Sequence, residues 1–290
     1  MDIARRFRRG RWPVAWRHQV AGVLWRLVPD HDGGVIGEVR DPAAKRASFF
    51  RVKVSGGEML WRDVDAPGGW WTGIECVLPG VLLLHGFASP DLPGHRGLTA
   101  LDVRTGATLW SDDEMVFVAA AYGAAYGLRG RPERRELAGR DVRTGAVGSV
   151  EPPTDARLLE LAKKWRAEAA PPCDLPGPVD AGSESNAGVA ALRAGSPMVD
   201  GAVESLRVGD AVVIAHHEMT ETEAPAKPLY RRVLSVFAGD APSVVFREVL
   251  DENLTMPVPE AFLVVDHTLL FVTDRRILSA VDIPGAARRG

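Results

Sequence analysis

Leu101 to Ser111 reads LDVRTGATLWS, and two other segments share its frame: Val52 to Arg62 (VKVSGGEMLWR) and Arg140 to Val150 (RDVRTGAVGSV). Each runs as an apolar–x–apolar strand into a polar turn that reaches a glycine (Gly57, Gly106, Gly145), then into a second strand. Trp61 and Trp110 hold the same place after Leu60 and Leu109. These are the requirements of a hairpin. Alternating apolar residues make a strand half-buried. Glycine supplies the positive φ of a tight turn, and tryptophan packs a large apolar surface against a neighbouring sheet.

Working outward, a second pattern precedes each frame: apolar run, tight turn, apolar run. It occurs at Val23–Val39 around Asp30, at Thr72–Gly86 around Pro79-Gly80, and at Val116–Leu128 around Gly123. Two more copies lie at Val203–His216 around Gly209-Asp210 and at Phe262–Thr273 around Asp266-His267. Leu229–Phe237 with Val244–Leu250, and then Arg276–Ile283, supply the strands that follow them. The last unit lacks an outer strand, and VAWRHQ (Val14–Gln19) resembles MLWRDV (Met59–Val64) closely enough to supply it. The expected fold is therefore all-β: a single β-propeller over 13–290 with five four-stranded blades. The N-terminal strand closes the last blade, so that no open edge remains between first and last. A basic arm, residues 1–12, precedes it.

The segment Ala100-LDVRTGATLW resembles the quinoprotein (PQQ-type) propeller blade, with matches at Ala100, Asp102, Thr105, Gly106 and Trp110. The third repeat keeps Asp141, Thr144 and Gly145; the first keeps Gly57 and Trp61. Leu24 to Trp110, with Gly69-WW-Thr72 and Leu83-LHGFASPDLPGHRG-Leu98, is similar to an uncharacterised bacterial family classed only as a domain of unknown function. That resemblance implies a propeller-like fold and assigns no activity. PQQ itself is disfavoured: the quinoprotein dehydrogenases use a larger propeller, a vicinal disulfide and a calcium ion, whereas Cys76 and Cys173 are far apart in sequence. No cofactor is expected.

Composition sets the outer bounds. The chain has 290 residues, 46% hydrophobic, and a formal net charge of −3, which does not suggest nucleic-acid binding. Contact of the basic N-terminal residues (Arg5, Arg6, Arg8, Arg9, Arg11, Arg17) with an anionic membrane surface is the less favoured of two readings, the other being a solvated tail leading into the closing strand. The apolar runs are too short to span a bilayer, and a cytoplasmic location is expected.

Residues 151–199 interrupt the pattern. Thr154-Asp155 starts a helix, and Leu158, Leu161, Ala162 and Trp165 follow at helical spacing. A Pro/Gly/Ser-rich tether comes after Ala170. The insertion reads as a packed surface elaboration or as an interaction element.

No catalytic residue and no metal ligand set is assigned. Pro79-GVLLLHGF-Ala88 resembles a hydrolase oxyanion strand, but the sequence has no G-x-S-x-G elbow. His216 and His217 are adjacent on a strand and so point to opposite faces. Asp266-His267 and the Asp30 stretch read as turns. The candidate ligand-binding residues are Trp70, Trp71, Glu75, Asp91, His95 and Arg96, where Ser89-PDLPGHR-Gly97 is taken as a loop beside the tryptophan pair. They gather carboxylates, an imidazole, a guanidinium and aromatic surface. The expected function is a non-catalytic binding or scaffold module presenting its loop face to a protein or a small polar ligand. The alternative is an enzyme acting on a carbohydrate or other polar substrate at a central funnel.

Overall fold

A computed structural model describes residues 12–66, 68–89, 92–130, 134–147, 154–168, 173–179, 189, 192, 203–220, 229–238 and 244–284. It is all-β, with five antiparallel sheets and an added helix. The chain forms two compact units, one of residues 20–172 and one of residues 1–19 with 173–290.

In chain order the first strand is β1 (Trp16–Gln19). A four-stranded sheet follows, β2 (Val23–Pro29), β3 (Gly34–Asp41), β4 (Arg46–Lys53) and β5 (Met59–Asp65). The next has β6 (Thr72–Leu78), β7 (Val81–Ser89), β8 (Leu92–Asp102) and β9 (Thr108–Asp112). Then come β10 (Met115–Ala121), β11 (Ala124–Arg129) and β12 (Glu136–Asp141), a sheet of three strands. Helix α1 (Asp155–Glu168) closes this unit.

The other unit holds β13 (Gly177–Pro178), β14 (Glu204–Val208), β15 (Ala211–Thr220), β16 (Leu229–Ala238) and β17 (Val244–Leu254) in one five-stranded sheet. Its second sheet is β18 (Phe262–Val265), β19 (Thr268–Thr273) and β20 (Ile277–Asp282), completed by β1. The N-terminal strand is thus the outer strand of the last sheet, with Trp16 opposite Ala280 and Gln19 opposite Ile277.

Three of the five sheets have the expected four strands. The third has three among the described residues, because the outer strand expected after Gly145 falls at 148–150, outside them. The fourth has five, because Gly177–Pro178 adds to the edge at β14.

Both units are held by sheet-on-sheet burial. Ile36, Phe49 and Trp61 of the first sheet pack with Ile74, Leu82, Leu84 and Leu101 of the second. The second sheet's other face sets Leu83, Leu98 and Ala100 against Met115, Ala125 and Val142. In the second unit Val213, Leu234 and Phe246 meet Phe262, Leu269 and Phe271. Each large side chain buried in this way contributes about 1.5–3 kcal/mol.

The repeated motif links one sheet to the next. Asp102 Oδ1 accepts from the Thr105 amide (2.8 Å) and hydroxyl (2.9 Å), which folds the chain so that the Gly106 amide donates to the Asp102 carbonyl at 2.8 Å. Asp141, Thr144 and Gly145 repeat the pattern. Trp61 Nε1 donates to the Val103 carbonyl at 2.8 Å, and Trp110 Nε1 to the Val142 carbonyl at 2.9 Å. Each indole lies on the glycine of the following turn. A Cβ built on Gly106 would sit 3.1 Å from Trp61 Cδ2, and one on Gly145 would sit 2.5 Å from Trp110 Cγ. Both glycines have positive φ, 73° and 68°.

Helix α1 starts where expected. Thr154 Oγ1 accepts from the Arg157 amide at 3.3 Å. Leu158 and Leu161 are buried against Ala119, Ala124 and Tyr126 of the third sheet, and Trp165 meets Phe117 edge-on at 5.9 Å. No helix among the described residues is long and apolar enough to cross a membrane.

Candidate functional site

The stretch expected as a loop, Ser89 to Gly97, is a hairpin end. Strands β7 and β8 continue to Ser89 and from Leu92, and those two residues pair. His95 is therefore a strand residue, with Phe87 as its partner across the ladder, while His85 lies opposite Gly73 and Leu98. His85 and Phe87 share one face of β7 by alternation. A register shift after His85, at Gly97 (φ 79°), brings His95 onto that face as well.

Glu75 reaches the same place from β6, where the ladder also shifts register between Ile74 and Cys76. One carboxylate oxygen, Glu75 Oε2, lies 2.8 Å from His95 Nδ1 in a hydrogen bond. It also lies 3.1 Å from His85 Nδ1, without hydrogen-bond geometry. The two imidazoles stack with centroids 3.5 Å apart and planes 6° from parallel, and Phe87 meets both edge-on at 5.0 and 5.6 Å.

Burial is graded across the group. The side chains of His85, Glu75 and His95 are 7%, 17% and 37% exposed. His85 is walled in, and neither of its ring nitrogens has a hydrogen-bond partner. Its Nε2 lies against the backbone of Gly73, where an added Cβ would stand 3.1 Å away. Burial works against ionising Glu75, but the two imidazoles, His85 first, outweigh it and hold the carboxyl below its ordinary value.

A second polar network fixes the strand that carries Glu75. Arg40 Nε donates to Glu38 Oε1 at 2.6 Å, and Glu38 Oε2 accepts from the Ile74 amide at 3.0 Å. Arg40 also donates to the carbonyls of Trp70 and Thr72. Its guanidinium lies 5.3 Å from the Trp70 ring, with Lys45 Nζ 5.1 Å from the same ring. Nearly all of this pair is buried, so the turn Gly69–Trp71 and the start of β6 are held against β3.

The expected candidates therefore separate. Glu75 and His95 come together. Arg96 is exposed and, following His95 along a strand, points to the other face. Trp70 is engaged by Arg40 and Lys45, whereas Trp71 is 43% exposed. Asp91 lies outside the described residues. His85, the third member, enters the sequence reading only as the histidine of the hydrolase-like His85-Gly86 strand and not as a ligand-binding candidate; its two-residue spacing from Phe87 carries no chemistry until β6 and β8 flank it.

The other histidine readings resolve as turns or as opposite faces. His216 Nε2 lies 3.1 Å from Glu218 Oε1, a carboxylate also held by Arg231 and Arg247, whereas His217 Nε2 accepts from the Val258 amide. Asp30 Oδ1 accepts from the amides of Asp32 and Gly34, and Arg51 holds its other oxygen at 2.6 Å. Asp266 has positive φ, as a tight turn requires.

Residues 28–110 match the model of a family described as a domain of unknown function (DUF4905). No curated protein matches the chain. Among solved structures, a quinohemoprotein alcohol dehydrogenase, ADHIIG from Pseudomonas putida HK5, is similar at 15% identity and TM-score 0.28. That match covers 90% of this chain and 39% of the dehydrogenase, so the chain spans well under half of that relative's length. The α-L-arabinofuranosidase Arb93A of Fusarium graminearum is similar at 10% identity and TM-score 0.26, over 95% of this chain and 85% of that one. Likenesses at these scores assign no activity and no cofactor.

Proposed function

We propose that this chain is a non-catalytic binding module that takes a small polar ligand at the β6–β8 face carrying Glu75, His85 and His95. In this reading the five sheets are blades of one propeller, which β1 closes through the last sheet. The observation that supports it is His85. A buried imidazole whose Nε2 has no partner and whose Nδ1 has only the Glu75 carboxylate at 3.1 Å, without hydrogen-bond geometry, beside a partly exposed second imidazole, leaves hydrogen-bonding capacity unused, at a cost of about 1–3 kcal/mol per buried group. A ligand entering past His95, the most exposed of the three, would recover part of that cost.

The group joins one carboxylate to two imidazoles. Glycoside hydrolysis in its usual form needs a carboxylate pair, so binding is favoured over the carbohydrate enzyme.

The test is proton–nitrogen NMR of the histidine rings during titration with monosaccharides, dicarboxylates and free amino acids. Saturable shifts of the His85 and His95 signals, lost in Glu75→Gln, are expected. Shifts confined to other histidines, or none with any compound, would refute the site.

A further inference from the structure

We infer that Glu75, His85 and His95 form a binding site for a divalent transition-metal ion of the zinc class, with one coordination position open to solvent. The inference deepens the binding reading above and rests on the same face of β6–β8.

The donor atoms come first. One ligand atom from each of the three side chains lies within 4.8 Å of the other two. Two imidazole nitrogens and a carboxylate oxygen suit zinc and its neighbours, while calcium and magnesium prefer all-oxygen shells. Three protein ligands leave a fourth tetrahedral position free. Of the three, His95 is the most exposed, and solvent reaches the group on its side.

The second observation is independent of the clustering. His85 is 6% exposed, and both of its nitrogens are buried without hydrogen-bond partners. Its Nδ1 faces Glu75 Oε2 at 3.1 Å in a geometry that makes no hydrogen bond. An ion at Nδ1 would satisfy one of these two nitrogens.

The backbone explains how the ligands are delivered. They come from three adjacent strands of one sheet, and the β6 end is fixed by the buried Glu38–Arg40 pair. Gly73 leaves room for the His85 ring, since a Cβ there would press on Nε2.

The rings stack nearly parallel, so their in-plane lone pairs run side by side. Ligation requires one ring to turn. His95 is the ring free to do so, and its hydrogen bond to Glu75 is the contact exchanged for the ion. Ligation through Nδ1 places the proton of each neutral imidazole on Nε2.

The test uses the full chain, stripped with a chelator and dialysed, with no organic ligand present. Zn2+ is titrated by calorimetry, and Co2+ by its visible absorption. One equivalent of Zn2+ per chain is expected, with Co2+ giving the intense bands of a four-coordinate nitrogen–oxygen site and a raised melting temperature. His95→Gln changes a partly exposed ring, and Glu75→Gln keeps the side chain's shape. Each should weaken binding about 100-fold or more, since even outer-shell changes cost 10–100-fold. Cys76→Ala and Cys173→Ser, which remove the two thiols, should leave it unchanged.

Absence of saturable uptake by the wild-type chain, or undiminished uptake by His95→Gln, would overturn the inference. A chain that binds a small organic compound at this face but takes no zinc overturns the metal site alone. A chain that takes zinc while every organic probe fails overturns the organic-ligand reading alone.

Discussion

Replacing Gly145 by alanine tests whether the repeat motif works through contact between an indole and a glycine. Two costs add. At φ 68° an L-residue is strained, by about 1–2 kcal/mol. The new methyl would also stand 2.5 Å from Trp110 Cγ and 2.8 Å from Trp110 Cβ, closer than atoms approach without movement, which adds about 1–3 kcal/mol of overpacking. The sum is about 2–5 kcal/mol. Gly123→Ala separates the two terms, because Gly123 has φ 76° but nothing within 4 Å of its built Cβ; it should cost only the conformational part, about 1–2 kcal/mol. Urea unfolding by circular dichroism gives both values. In a Trp110→Ala background, which removes the ring atoms but keeps the Cβ 2.8 Å away, the cost of Gly145→Ala should fall part of the way towards that of Gly123→Ala, a coupling of about 1–2 kcal/mol. Equal costs for the two alanines in the wild-type background, or no coupling to Trp110, would refute the argument.

Four further outcomes follow from the same contacts. Arg140 and, more weakly, Arg129 face Asp112; burial opposes its ionisation, yet the Arg140 hydrogen bond, the Glu114 amide and the charges of Arg140 and Arg129 together outweigh it and hold the carboxyl below its ordinary value. The stability this contributes is present above the unfolded-state value of 3.8 and is lost as pH falls through the native one. Asp112→Asn should remove that acid-side loss and cost about 2–3 kcal/mol at neutral pH, read from melting curves between pH 2 and 7. Glu38→Gln leaves the Arg40 guanidinium buried without its counter-charge and should cost about 3–5 kcal/mol, with a matching fall in the urea midpoint. A chain beginning at Val20 loses β1 and exposes the edge of β20; it should aggregate or melt earlier, seen by light scattering during a thermal ramp. Burial, then the Glu75 carboxylate, pushes the Cys76 thiol up, and burial with Asp174 pushes Cys173 up to about 11. Neither should alkylate readily at pH 8 in the folded chain, and both should do so in denaturant, as mass spectrometry would show.

Much of the strand layout is legible in the chain because its information is local. Alternation and the positive-φ glycines mark the strands and turns, and the predicted hairpins at Asp30, Pro79-Gly80, Gly123, Gly209-Asp210 and Asp266 all lie between paired strands. The resemblance of Val14–Gln19 to Met59–Val64 is enough to find a strand whose partner, β20, lies more than 250 residues away. The helix start at Thr154 is equally local.

The candidate site was half legible. Glu75 and His95 stand out as polar residues near tryptophans. His85 sits in an apolar run, and nothing local distinguishes it from a core histidine. Arg96 and Trp70 were grouped with the site by sequence proximity, yet strand alternation turns one away and the Arg40 network engages the other.

By itself, then, the sequence determined the β-strands, their turns and the Asp–Thr–Gly–Trp frame, because each rests on dihedral preference and on side-chain alternation over a few residues. Only the tertiary structure decided which polar residues meet. That depends on register shifts at Glu75 and Gly97 and on the pairing of three consecutive strands, which alternation along one strand does not specify. A displacement of one residue in any of those strands would turn its side chain to the opposite face.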